Sequence, residues 1–170
     1  MDHKLNGQKG IYDIVNKEKL DVVNNPIAEA HGLPNECYNS KEYTQIERKK
    51  LFEDKWVVIG VASSVPNPGD AKPFDLLGIP LIILRNRKKQ IKVYHNVCSH
   101  RGYKILQKKC SIKNVLRCPY HSWSYNLDGK LVATPNLGGM DKHEAEGFDK
   151  SSSGLKEVLS YVWLDMVVVN

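Results

Sequence analysis

Two short segments hold residues whose types and spacing could do metal chemistry: Cys98-Ser99-His100-Arg101-Gly102 and Cys118-Pro119-Tyr120-His121-Ser122-Trp123. Each contributes one cysteine and one histidine, and seventeen residues separate His100 from Cys118. The pattern is therefore C-x-H followed by C-x-x-H. One or two residues between ligands at a loop tip let a thiol and an imidazole point to the same side. Two such loops facing each other supply four ligands. The thiolates of Cys98 and Cys118 suit one iron, and the neutral imidazoles of His100 and His121 suit a second. Exchanging two thiolates for neutral ligands removes negative charge and raises the reduction potential of the resulting [2Fe–2S] cluster. A tetrahedral zinc site would accept the same residue types. Zinc sites, however, usually pair like ligands as C-x2-4-C and H-x3-5-H, whereas each loop here mixes them.

The neighbours of the ligands fit this use. Gly102 is expected to allow close backbone approach behind the first loop, and Pro119 to stiffen the second. Trp123 either shields the site from water or packs as ordinary core. Arg101 stabilises its loop, faces a partner, or is a plain surface arginine. The remaining cysteines, Cys37 and Cys110, read as inert packing thiols. His95 lies in a strand, while His3, His31 and His143 lie in polar segments, and all four read as surface or internally satisfied histidines. A mononuclear oxygenase iron needs two histidines and a carboxylate. Only His143 follows His121, so no such triad can be assembled downstream of the motif.

The elements that must position these loops are mainly short strands. From Trp56 the pattern changes from helical to extended: Trp56–Gly60 is one strand, followed by the turn Pro66-Asn67-Pro68-Gly69-Asp70. Ile79–Arg85 and Gln90–Val97 flank the polar tip Asn86–Lys89 as a hairpin. Val115–Arg117 and Trp123–Asn126 are two further strands. Asp128-Gly129 predicts a hairpin turn to Lys130–Val132, because both central residues can take positive φ. Two last strands are expected over 155–160 and 161–169. Ahead of them, residues 1–36 read as an extension with one short helical piece near Val15–Val23. A helix over about 40–54 follows, capped by Asn39-Ser40, with Glu42 in its first turn and Tyr43, Ile46 and Leu51 or Phe52 as its apolar stripe. The expected architecture is mainly β, small antiparallel sheets with an N-terminal helical extension. Residues 1–54 form that extension and 55–170 the metal-binding domain.

Composition excludes several classes. The 170 residues, 41% hydrophobic and 26% charged, suit one packed domain with some chain to spare. No stretch reaches the ~20 continuous apolar residues of a membrane span, and the runs Ile79–Leu84 and Tyr161–Val169 read as buried strands. Met1-Asp2-His3-Lys4 is followed by polar residues without the apolar core of a secretory signal, which makes the cytoplasm the expected compartment. The net charge of +6 reads as lysines scattered among acids over a solvated surface. The alternative is a basic face that docks an acidic redox partner. Nucleic-acid binding is not expected, because no basic run interleaves with stacking aromatics outside the motif region.

With these residues in view, the run from about Gly32 to Asn170 resembles the N-terminal half of Rieske non-haem iron oxygenases, the aromatic-ring-hydroxylating dioxygenase α-subunit family. The two segments are similar to the family's C-x-H-R-G and C-P-Y-H-x-W. Tyr125-Asn126-Leu127-Asp128-Gly129-Lys130-Leu131 is similar to its post-cluster hairpin. The lead-in Leu51-Phe52 through Trp56, then Val65-Pro66 and Pro68-Gly69-Asp70, also fits, as does the closing run Val162–Asn170. Respiratory Rieske proteins carry an extra cysteine in each loop, where this chain has Tyr103 and Tyr120. They also carry a serine two residues after the second histidine, where this chain has Trp123. The resemblance therefore implies a centre at the low end of the roughly −150 to +300 mV range of such clusters. One departure is Ser122, where the family commonly has glycine; a serine there could donate a hydrogen bond to the cluster.

The resemblance implies a [2Fe–2S] electron relay, with Cys98 and Cys118 on the iron that stays ferric and His100 and His121 on the iron that cycles. Electrons would come from a reductase or ferredoxin and leave for a mononuclear Fe(II) in a catalytic domain absent from these residues. Neighbouring α-subunits of a trimer are expected as further partners. The lead-in is similar to members acting on quaternary amines such as choline or betaine. Two other readings stay open: a standalone Rieske-type ferredoxin, and a zinc-stabilised interaction module.

Overall fold

The computed structural model describes residues 10–170; His3 and the charged start Met1–Lys4 lie outside the described residues. The chain divides into two compact units, Met1–Lys55 and Trp56–Asn170. The described part of the first unit is helical: α1 (Lys17–Asp21), α2 (Glu36–Asn39) and α3 (Lys41–Glu47). α1 falls inside the stretch expected to carry a short helical piece, whereas α2 was not anticipated. Ser40 caps α3 as its composition predicts, its hydroxyl accepting from the Tyr43 N–H at 3.2 Å. The helix then widens into a π-type stretch over Arg48–Glu53, so the expected helix spans its predicted length with two different hydrogen-bond patterns.

The second unit is built of ten short strands: β1 (Val57–Val61), β2 (Asp70–Leu76), β3 (Ile79–Arg85), β4 (Ile91–His95), β5 (Cys110–Ser111), β6 (Leu116–Arg117), β7 (Ser124–Tyr125), β8 (Leu131–Ala133), β9 (Ser160–Trp163) and β10 (Met166–Val169). They form three antiparallel sheets in the orders β1-β10-β9, β4-β3-β2-β5 and β6-β7-β8. The mainly-β architecture read from the sequence is the one observed. β3 is the central strand, and its run Leu81–Leu84 is wholly buried. Because side chains alternate across a strand, Leu81 and Ile83 enter a core with Ile59, Val65, Val93 and Val167. Ile82 and Leu84 enter a second core with Tyr94, Cys98, Cys118, Trp123 and Tyr125. Both motif cysteines thus sit in one core.

Three expectations are corrected. β2 was missed, because Pro73 within it argues against a strand; β5 pairs only with Asp70 and Ala71, so beyond them β2 needs partners on its β3 side alone. The Asp128-Gly129 turn does not place both residues at positive φ. Asn126 N–H bonds the Lys130 carbonyl at 2.9 Å across a three-residue loop in which Gly129 alone is left-handed, at φ +78°. A β-carbon on Gly129 would also meet Tyr94 Cε1 at 2.6 Å, which reserves the position for glycine. Finally, 155–160 and 161–169 are not two strands in tandem. Leu164 and Asp165, at φ 46° and 73°, turn β9 into β10, and the Asp165 carboxylate accepts from both the N–H and the hydroxyl of Ser63. That partner lies too far away in sequence to be read as turn chemistry.

The two motif loops share one backbone design. In the first, Cys98 N–H bonds the Tyr103 carbonyl and Gly102 N–H bonds the Cys98 carbonyl, each at 2.9 Å. In the second, Cys118 N–H bonds the Trp123 carbonyl at 2.8 Å and Ser122 N–H bonds the Cys118 carbonyl at 3.0 Å. The fourth residue after each cysteine is left-handed, Gly102 at φ +67° and Ser122 at φ +60°. Nothing lies within 4 Å of where a β-carbon on Gly102 would sit. Its role is therefore backbone conformation rather than the close approach the sequence led us to expect. After the first loop, fully buried Asn96 pins the returning chain: its Oδ1 accepts from Ile105 and Leu106, and its Nδ2 donates to the Leu106 carbonyl at 2.7 Å.

These loops generate two stability predictions. Ser122→Gly removes the cost of an L side chain in the left-handed region and raises stability by about 1 kcal/mol, while Gly102→Ala lowers it by about 1–2 kcal/mol. Urea midpoints of the two variants moving in the same direction would contradict the shared design. Asn96→Ala leaves two buried amides and a carbonyl unpaired and costs about 2–3 kcal/mol, read from the same denaturation curves.

Candidate metal centre

The first motif loop joins β4 to β5 and the second joins β6 to β7, so ligands distant in sequence hang from two different sheets. The structure brings them together as two pairs, thiol with thiol and imidazole with imidazole. Cys98 and Cys118 are both buried and unbridged, and their side chains interact directly. The rings of His100 and His121 meet edge to face with centroids 4.7 Å apart. Among the described residues no group of three or more His, Cys, Asp or Glu is placed to hold a metal ion. A thiol pair and an imidazole pair are the donor types of a two-iron Rieske cluster, one like pair to each iron.

Each candidate ligand is held by neighbours. Trp123 is buried and stacks on His100, with centroids 4.6 Å apart and planes 9° from parallel, and Phe148 meets the other ring edge-on. Trp123 therefore orients a ligand ring as well as packing the core. His100 Nδ1 is buried and makes no hydrogen bond. A buried ring nitrogen without a partner is costly unless something else takes its lone pair. Burial, followed by the neighbouring His121 and Arg101, holds the His100 imidazole below its ordinary pKa. That favours the neutral form a metal needs.

The sulfurs are held with equal care. Tyr125 is fully buried, with its hydroxyl 3.1 Å from Cys98 Sγ and accepting from the Ser99 N–H at 3.1 Å. Burial, then the bond to Cys98, push that hydroxyl up to about 12, so at neutral pH it is protonated and can donate. On the second sulfur, burial pushes the Cys118 thiol up, while hydrogen bonds from the backbone of Tyr120 and His121 pull it the other way. A coordinated metal would deprotonate both thiols outright. Sequence reading did not single out Tyr125 or Asn96; the tyrosine sits in the post-cluster hairpin, and only the fold turns its ring toward Cys98.

At the tips, Tyr103 and Tyr120 touch with centroids 5.4 Å apart, and the Tyr120 ring lies 3.7 Å from that of His121. An aromatic contact thus joins the loops at the two positions where respiratory relatives would carry cysteines. Beside the imidazoles is an open recess of about 560 Å³, floored by His100, His121 and Trp123 and walled by Pro135 and Leu137. The other sequence candidates stay apart. Cys110 packs against the core, and burial raises its thiol. Cys37 hydrogen-bonds Tyr43 in the helical unit, and His143 Nδ1 accepts from the Asn136 N–H at 3.2 Å. None of the described helices is long and apolar enough to cross a membrane.

Comparison with known proteins agrees with this geometry. The chain is 28% identical over 138 residues to the carnitine monooxygenase oxygenase subunit of Escherichia coli K12, covering 81% of this chain and 37% of that protein. It is 34% identical over 128 residues to the glycine betaine monooxygenase oxygenase subunit of Chromohalobacter salexigens, covering 75% and 27%. It therefore spans only 27–37% of the length of these relatives. Among solved structures, a quaternary ammonium Rieske monooxygenase with bound L-carnitine superposes with a TM-score of 0.72 at 28% identity, over 81% of this chain and 38% of the other. Naphthalene 1,2-dioxygenase from Rhodococcus sp. gives 0.72 at 24% identity over 81% and 31%, a likeness of fold alone. The Rieske [2Fe-2S] domain family matches residues 55–144, more than half of the chain and a span that includes both motif segments, and the chain belongs to that family.

Proposed function

We propose that Cys98 and Cys118 ligate one iron of the [2Fe–2S] cluster and His100 and His121 the other, and that the chain is the electron-transfer part of a Rieske oxygenase. The observation that carries this is the segregation of the four side chains into a thiol pair and an imidazole pair, with His100 Nδ1 buried and unpartnered. When bound, the cluster supplies reversible one-electron transfer at a potential set by its ligands and their hydrogen bonds.

The chain's own residues shape that chemistry. Tyr125 donates to Cys98 and stabilises negative charge on its sulfur. Trp123, with Phe148 packed edge-on against it, covers one face of His100, and His121 reaches the recess, where an electron partner can approach within a short distance. Residues 55–170 form the cluster domain and 1–54 an extension ahead of it. In the whole protein a reductase or ferredoxin donates the electrons. The acceptor is a mononuclear Fe(II) in a catalytic domain outside these residues, with neighbouring α-subunits as further contacts. The relatives named for carnitine and glycine betaine direct the substrate proposal to a quaternary ammonium compound rather than an aromatic ring. Cysteines without disulfides among the described residues accord with a reducing, cytoplasmic setting.

Two measurements check this reading. The purified chain should be coloured, hold two irons and two sulfides, and give a rhombic EPR signal after dithionite reduction. A colourless, EPR-silent, zinc-loaded protein would overturn it. Tyr125→Phe removes one hydrogen bond to a ligand sulfur and should lower the midpoint potential by about 20–60 mV, equivalent to about 0.5–1.5 kcal/mol; an unchanged potential would sever Tyr125 from the centre's electronics.

A further inference from the structure

The positive charge is not scattered, contrary to the reading from composition. Between Leu76 and Leu127 the chain carries eleven Lys and Arg and no Asp or Glu. The remaining residues hold the other fourteen cations against all nineteen acids. The segment that carries the cluster ligands is therefore strongly basic within a chain that is otherwise net acidic.

Six of those cations, Arg101, Lys104, Lys108, Lys109, Lys113 and Arg117, lie on the excursion that leaves one ligand loop and returns to the other. All six are exposed. None belongs to an ion pair among the described residues. Within reach of Lys109 lies Asp70, a buried carboxyl held below its ordinary pKa mainly by hydrogen bonds from Asn67 and Ser111, with Lys109 contributing last. Arg101 directly follows His100, and Arg117 directly precedes Cys118. Between the loop tips, Tyr103 and Tyr120 touch each other yet remain 44% and 53% exposed, and Val97 is 37% exposed. An aromatic centre within a charged rim is the composition of a protein-docking surface.

We infer that residues 101–117, together with Tyr103 and Tyr120, form the docking surface for the electron donor, and that the donor presents an acidic face to it. This rests on the reading of the chain as an electron relay and adds where the donor sits and what its surface must be. Unneutralised like charge beside a redox centre raises the encounter rate with an oppositely charged partner and makes that rate fall with salt. The tyrosines, being apolar and close to His121, hold the encounter at short distance once it forms.

The test uses the cluster-loaded chain and, as probe, a reduced plant-type [2Fe–2S] ferredoxin. Ferredoxins of that type are acidic and, at roughly −400 mV, able to reduce a Rieske centre. Stopped-flow reduction should slow at least 10-fold between low and high ionic strength. Lys104→Glu, Lys108→Glu and Lys109→Glu together should slow it at least 10-fold at low salt and abolish or invert the salt dependence. The same charge change at Arg87, Lys88 and Lys89, exposed at the end of β4 opposite the ligand loop, should leave it within about twofold. Equal losses in both triple variants, or no loss in either, would overturn the docking surface. So would tight binding of a DNA duplex that the patch triple alone loses while ferredoxin reduction is unaffected. Visible spectra and dithionite reduction serve as the separate readout. A chain that loads no cluster fails the relay reading itself, whereas a chain that loads and reduces normally but ignores the patch fails this inference alone.

Discussion

Everything the molecule does depends on holding two loops from different sheets tip to tip without a covalent link. The contact is assembled from weak pieces: the stack of Trp123 on His100, the tilted pair Tyr103–Tyr120, and the meeting of the two buried thiols. Aromatic pairs are worth about 0.5–1.5 kcal/mol each beyond their burial, far less than the 2–4 kcal/mol typical of a disulfide. The loops must consequently arrive already shaped. That is why each closes on itself through the same two backbone hydrogen bonds, and why a serine tolerates the left-handed region at position 122.

Rigidity around the site is bought with buried polar groups rather than apolar bulk. Asn96 satisfies two amides and a carbonyl from a single fully buried side chain. Asn86, also buried, bonds Asp128 at 2.9 Å and so ties the β3–β4 hairpin to the turn after β7. Tyr125 joins the backbone of the first loop to a sulfur through one hydroxyl. Each network is fully partnered, which is the condition under which buried polarity specifies a geometry instead of weakening it.

Much of this was legible in the sequence, for identifiable reasons. Ligand types and spacing are local, so four candidate ligands could be named without a fold. Alternation in β3, the Ser40 cap and the polar tip Asn86–Lys89 are local as well. What escaped reading depends on partners distant in the chain. Pro73 sits in a strand because β5 stops short of it. Leu164 and Asp165 adopt a left-handed turn because Asp165 is held by Ser63, 102 positions away. Tyr125 matters because of where Cys98 lies. The charge asymmetry was written in the sequence but hidden by the chain-wide average, since the excess of acids outside 76–127 offsets almost half of it in the sum.

The pairing of β1 with β10 places Val57 opposite Val169. The first and last strands of the cluster-bearing unit are thus neighbours in one sheet, joined by backbone hydrogen bonds. Fraying either one strips hydrogen bonds from the other, so the unit opens as one closed piece rather than unravelling strand by strand from an end.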